Sequence, residues 1–153
     1  MEISFRPASA SDFDYCRDLY LAGMEAVIRQ MNRDRSAEIA NLRGRWQPTE
    51  VRIITVGGAD VGWLQIRTEC DAVFLAQLFV DGSWQRQGIG TQVMHRLIEE
   101  AGTAARAVTL GVVKTNPALR LYQRLGFRIT HQDDRKFYMR RQASPAPTSR
   151  TGL

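Results

Sequence analysis

The stretch VDGSWQRQGIGTQVM, residues 80–94, marks the point where an apolar run hands over to a helix. The run before it, AVFLAQLFV at 72–80, is almost wholly apolar, which predicts a strand buried on both faces. After it, Val93, Met94, Leu97, Ile98 and Ala101 recur at helical spacing, with Gly102 placed as the cap that ends the helix. Between strand and helix stand Gly88 and Gly90. A helix start exposes unpaired N–H groups and the positive end of the helix dipole. Glycines there let the backbone approach an anion with no Cβ in the way. The dinucleotide fingerprint fails, because GIGTQV has no third glycine, and the P-loop fails for want of Gly-Lys-Ser/Thr. Gln85-x-x-Gly88-x-Gly90 is what is left, and on its own a plain strand-to-helix loop explains it equally well.

Working outward, ISFRP reads as a short first strand, followed by a helix that Ser9 and Ser11 can cap and that runs to about Met31. AEIANLRGRW reads as a second, weaker helix ending before Pro48. VRIITV and VGWLQIR flank GGAD, whose Gly57 and Gly58 suit a hairpin turn. Past the central helix, AVTLGVV is a buried strand. Pro117 opens a short helix with Ala118, Leu121, Tyr122 and Leu125 on its face, closed by Gly126. FRIT and KFYMRR are the last strands. The order β-α-α-β-β-β-α-β-α-β-β predicts an α/β domain with a mixed sheet over residues 1–141. The tail 142–153, rich in Pro, Ser and Thr, is expected to be disordered.

The 153 residues carry a net charge of +5, nearly all of it from arginine, since Lys114 and Lys136 are the only lysines. Guanidinium groups suit phosphates and carboxylates. The arginines are spread from Arg6 to Arg150 with no basic tract interleaved with aromatics, which argues against a nucleic-acid face and leaves a polyanionic small molecule. No apolar stretch approaches the ~20 residues of a membrane span, and the N-terminus lacks a secretory pattern, so a cytoplasmic protein without a membrane partner is expected. Cys16 and Cys70 form neither a disulfide framework nor a metal site, and no metal is expected. His95 and His131 stand apart from any nucleophile and read as structural or surface groups.

Downstream lies NPALRLYQRLGF, with Asn116, Tyr122 and Gly126-Phe127. Together with Gln85-x-x-Gly88-x-Gly90 after LFV, this pattern resembles the GNAT N-acetyltransferase superfamily. The resemblance implies a single-domain fold with a mixed, mostly antiparallel sheet of six to seven strands, splayed central strands and about four helices. It implies acetyl-CoA as co-substrate, with backbone N–H groups of Arg86, Gln87, Gly88, Ile89, Gly90 and Thr91 on the pyrophosphate and Gln85 shaping the loop. The backbone of Leu78 and Val80, flanking Phe79, would pair with pantetheine as an added strand does. Asn116 would contact the cofactor or else cap the helix at Pro117; its spacing to Tyr122 is one residue shorter than the usual pattern. Tyr122 would protonate the departing thiolate, or simply pack in its helix.

The acceptor implied is a primary amine on a small molecule, peptide or protein, and a homodimer stays open. Where some relatives carry a basic Glu, this chain has Gln77 and Gly111. That leaves Glu25, Glu69 and Asp71 acting through water, or no dedicated base. It also admits a second reading, a non-catalytic acyl-CoA-binding or interaction domain. Met24, Val27, Ile28, Trp46 and Trp63 would line an acceptor pocket or, more simply, belong to the core.

Overall fold

The computed structural model describes residues 1–143, so the expectation of a disordered tail falls, from residue 144 on, outside the described residues. Among the described residues, seven strands and four α-helices occur in the order expected. They are β1 (Ile3–Pro7), α1 (Phe13–Gln30), α2 (Arg35–Arg45), β2 (Val51–Val56), β3 (Ala59–Thr68), β4 (Ala72–Val80), α3 (Ile89–Thr103), β5 (Ala107–Val113), α4 (Ala118–Arg124), β6 (Arg128–Gln132) and β7 (Lys136–Arg141). The sheet order is β1-β2-β3-β4-β5-β7-β6. Only β4 and β5 run parallel, which a hairpin cannot connect; α3 makes the crossover. The expectation of a mixed, mostly antiparallel sheet is met.

The chain divides into two compact units, residues 1–66 with 77–90, and residues 67–76 with those from 91 on. In the first unit, α1 lays Phe13, Cys16, Tyr20 and Leu21 at helical spacing against Leu42, Trp46, Ile53 and Trp63. Its entry is fixed by Asp12, whose carboxylate accepts the Ser9 N–H at 2.9 Å and holds the Arg6 guanidinium at 2.9 Å. The Arg6 pair keeps the Asp12 carboxyl below its ordinary range. Gly57 and Gly58 take φ of +57° and +85°, the conformation a two-residue hairpin between β2 and β3 requires.

Two features of β3 aim β4. Between the pairs Ile54↔Gly62 and Thr55↔Asp60, Val61 is an extra residue in β3, a bulge that bends the strand. Gly62 then lets β4 approach closely: a Cβ there would run into the Phe79 carbonyl oxygen and come within 3.2 Å of Val80 Cα. Gly62→Ala is therefore expected to destabilise the protein by ~1–3 kcal/mol through overpacking against backbone that cannot swing away. A melting temperature within 1 °C of wild type would show that the two strands can separate at no cost.

In the second unit, Ala72, Val73 and Leu75 of β4 are buried, as are Val93, Met94, Leu97 and Ala101 of α3 and Val108, Leu110 and Val112 of β5. Two expectations need correction. Burial of β4 on both faces holds for its first half, whereas Ala76–Val80 are half-exposed. Gly102 does not end α3, which continues to Thr103. Instead Ala105 takes the left-handed conformation (φ +57°), and Arg106 N–H closes back on the Ala101 carbonyl at 2.8 Å. A short side chain tolerates that geometry at a cost of ~1–2 kcal/mol, so the turn does not need a glycine.

Candidate active site

The corner between β4 and α3 is built from the strand outward. The Asp81 N–H donates to the Val61 carbonyl at 2.8 Å, so position 81 points its amide toward β3. By strand alternation Phe79 does the same, as the close approach of its carbonyl to Gly62 shows, while the amides of Leu78 and Val80 face the other way. On that side the β4–β5 ladder runs only from Ala72↔Ala107 to Leu75↔Leu110, although both strands continue. The Val80 carbonyl accepts Gln85 Nε2 at 2.9 Å, which makes Gln85 the residue that ties the loop back to the strand.

The loop itself folds on Asp81. Its carboxylate accepts the Ser83 N–H at 2.9 Å and the Ser83 hydroxyl at 2.7 Å, closing a single 3-10 turn over Gly82–Trp84. These bonds hold the Asp81 carboxyl below its usual range. Arg86 (φ +63°) and Gly88 (φ +80°) are both left-handed, and alternation of this kind curls successive N–H groups into a concave bed for an anion. Ile89 then buries its side chain at the first residue of α3, and Gly90 and Thr91 follow inside the helix.

Gly90 is the informative residue. It has no positive φ, it lies in a helix, and a Cβ built on it meets nothing within 4 Å. A glycine in that setting costs helix stability and returns nothing to packing. A Cβ at Gly88 likewise meets nothing, though there φ itself calls for glycine. The space in front of both residues is open, as a bed for a bulky phosphate group must be.

In the second unit, Asn116 is engaged as a cap: its Oδ1 accepts the Ala118 N–H at 2.9 Å. Tyr122 lies half-buried on α4, its ring edge-on to Phe127 at 5.9 Å, and the Phe127 N–H closes on the Tyr122 carbonyl at 3.0 Å. Gly126 (φ +95°) makes that turn, and Arg141 Nε fastens it by donating to the Leu125 carbonyl at 2.8 Å. Burial pushes the Tyr122 phenol upward, so it keeps its proton at neutral pH.

The carboxylates considered as bases sit on the surface. Glu25 pairs with Arg29 at 2.7 Å, Asp71 with Arg140 at 3.2 Å, and Glu69 is exposed. Trp46 and Trp63 are core residues, 8% and 0% exposed, rather than pocket lining. Phe79 stacks on Trp63 at 5.6 Å and meets Tyr20 edge-on at 5.4 Å. Of the apolar residues considered for a pocket, Ile28 does line a cavity of about 350 Å³, with Glu25, Arg29, Asn32, Arg33 and Arg35. Sequence reasoning passed over Glu38, a carboxylate 4% exposed that Arg33 neutralises at 2.6 Å. Its helical spacing carries no signal of that burial. The Cys16 thiol, pushed up to about 12 by burial, is inert.

A mixed α/β sheet whose fourth strand hands over to a helix through a glycine corner defines an α/β fold with a helix N-terminus open to solvent at that corner. The comparisons narrow this class. The acetyltransferase (GNAT) domain matches residues 48–129, just over half of the sequence, and the chain belongs to the GNAT acetyltransferase family. The human Cysteine-rich protein 2-binding protein is 34% identical over 67 residues, which cover 44% of this chain but only 8% of that much longer protein. Among solved structures, PH1933 from Pyrococcus horikoshii has a TM-score of 0.75 at 18% identity, covering 94% of this chain and 100% of that one. The PaiA N-acetyltransferase from Thermoplasma acidophilum, in complex with coenzyme A, has a TM-score of 0.65 at 17% identity, covering 93% and 99%. At such identities the structures establish a shared fold.

Proposed function

We propose that this protein is an N-acetyltransferase that moves an acetyl group from acetyl-CoA to a primary amine of a small molecule, peptide or protein, by direct attack within a ternary complex. The observation that carries this reading is Gly90, a helical glycine facing open space where the fold itself has no use for it. The residues present suit the co-substrate. The N–H groups from Arg86 to Thr91 would take the pyrophosphate, with the positive net charge favouring the polyanion. The amides of Leu78 and Val80 on the side away from β3 would accept pantetheine as an added strand, Phe79 keeping its own amide for β3. Asn116, with its Oδ1 spent on the cap, would have its amide nitrogen for the cofactor.

The chemistry assigns roles to the chain's own groups. The Leu78 N–H, on the side away from β3, would steady the oxygen that gains charge as the amine adds. The protonated Tyr122 phenol gives its proton to the sulfur as the C–S bond breaks. Holding both substrates in attack geometry supplies the remainder of the acceleration. The PaiA N-acetyltransferase, a fold neighbour in complex with coenzyme A, supports the choice of donor.

The test follows free thiol during incubation of acetyl-CoA with spermidine, tyramine and a peptide beginning with alanine, alongside the melting temperature with acetyl-CoA alone. Amine-dependent thiol release and a raised melting temperature are expected. A raised melting temperature with no thiol release from any amine would favour a non-catalytic acyl-CoA-binding domain; no shift at all would remove the reading.

A further inference from the structure

Resting on that reading, we infer that His131 is the group that takes the proton from the acceptor amine. The two carboxylate positions looked for in the sequence hold Gln77 and Gly111, neither of which accepts a proton near neutral pH. The structure places other chemistry in the same row. Gly111 is the first β5 residue beyond the end of the β4–β5 ladder at Leu110. Its partner on β7 is Tyr138, and the partner of Tyr138 on β6 is His131. Directly paired residues project from the same face. The Tyr138 ring lies over Gly111, with Cε1 3.2 Å from where a Cβ would stand. His131 stacks on the same ring at 4.6 Å and 10° between planes. A side chain at position 111 would displace this arrangement.

The contacts of His131 are set by its neighbour in β6. Thr130 is the extra residue of a bulge, between the pairs Ile129↔Met139 and His131↔Tyr138. Its hydroxyl lies 2.9 Å from His131 Nδ1 and 3.2 Å from the Tyr138 carbonyl. With its single proton on the carbonyl, the hydroxyl oxygen accepts from Nδ1–H, and Nε2 then presents its lone pair from an exposed ring. The platform beneath is held from the other end, where the Tyr138 hydroxyl donates to Asp133 Oδ2 at 2.8 Å. Asp133 also accepts the N–H groups of Arg135 and Lys136 at 2.8 and 2.7 Å, which keep its carboxyl at about 2 and so anionic throughout. Tyr138 lies against the ring with Asp133 behind it, and Lys114 reaches the neighbouring Gln132 Oε1 at 2.6 Å from the end of β5. Bulges recur beside active sites because they re-aim one side chain, and here that side chain is the threonine that meets His131 Nδ1.

In the step itself, the N–H bond of the amine breaks toward His131 Nε2 as its nitrogen forms the bond to the thioester carbon. The C–S bond then breaks toward the sulfur that Tyr122 protonates, the imidazolium returns its proton to solvent, and the Tyr122 phenolate takes one back from solvent. His131→Gln removes the acceptor of the proton. With the fastest amine of the panel it should lower kcat/KM by about 100-fold, with the acetyl-CoA melting shift unchanged. Thr130→Val should move the ring toward the Nε2–H tautomer, read by nitrogen NMR of the imidazole, and lower kcat with KM unchanged. Transfer by His131→Gln at the wild-type rate would overturn this inference alone, as would an Nε2–H tautomer in the wild type. Absence of transfer by the wild-type protein would overturn the transferase reading and this inference together.

Discussion

Gly90→Ala raises the melting temperature of the free protein and reduces the further rise that acetyl-CoA produces. The two signs come from one fact. Gly90 sits in α3 without a positive φ and with open space where its Cβ would be. Alanine at such a site adds up to ~1 kcal/mol of stability, about 2–4 °C for a chain of this size. The same methyl group would stand in the bed proposed for the pyrophosphate. Acetyl-CoA at a hundred times its dissociation constant adds ~2.7 kcal/mol to the wild type, or about 5–10 °C. Gly88→Glu is the harsher partner: it forces a side chain into φ +80° at a cost of ~1–2 kcal/mol and sets a carboxylate against the pyrophosphate. Its melting temperature should fall, and the ligand shift should vanish. Thermal denaturation of the three proteins with and without acetyl-CoA decides the matter. A full ligand shift in Gly88→Glu would move the anion elsewhere on the molecule.

Tyr122→Phe is expected to slow turnover by roughly 10²–10⁴-fold while leaving the acetyl-CoA melting shift nearly intact. Burial holds the phenol protonated at neutral pH, as a donor to a departing thiolate requires. The ring keeps its edge-on contact with Phe127 in the variant, so the fold has no reason to change. The comparison is between kcat values measured across the pH range with one amine. Equal rates would make Tyr122 a packing residue and leave the thiolate to depart unaided.

Much of this protein is legible in its sequence because the signals are local. The 3.6-residue period of α3, the Gly57-Gly58 hairpin and the apolar run of β4 each follow from neighbours within one turn or one strand. The glycine corner is legible for the same reason, since an amide bed needs only consecutive residues. Where local reading erred, a contact from elsewhere in the chain had intervened. Half of β4 is partly exposed because the parallel ladder stops at Leu75, and no residue of LFV announces that. Gly102 carries the signature of a helix end, yet the backbone closes one turn later at Ala105.

The sequence by itself determined the order of elements, the family motifs and the donor they imply, because each is written in adjacent residues. Only the tertiary structure decided what Gly62 and His131 are for. Gly62 is a glycine because Phe79, seventeen residues on, brings its carbonyl against it. His131 looked isolated along the chain, and became a ring stacked on Tyr138 with Thr130 at its Nδ1 when β5, β7 and β6 paired and a bulge turned Thr130 toward it. Hydrogen-bond direction depends on which groups meet across strands, and that is settled by register, a property of the folded sheet rather than of any one segment.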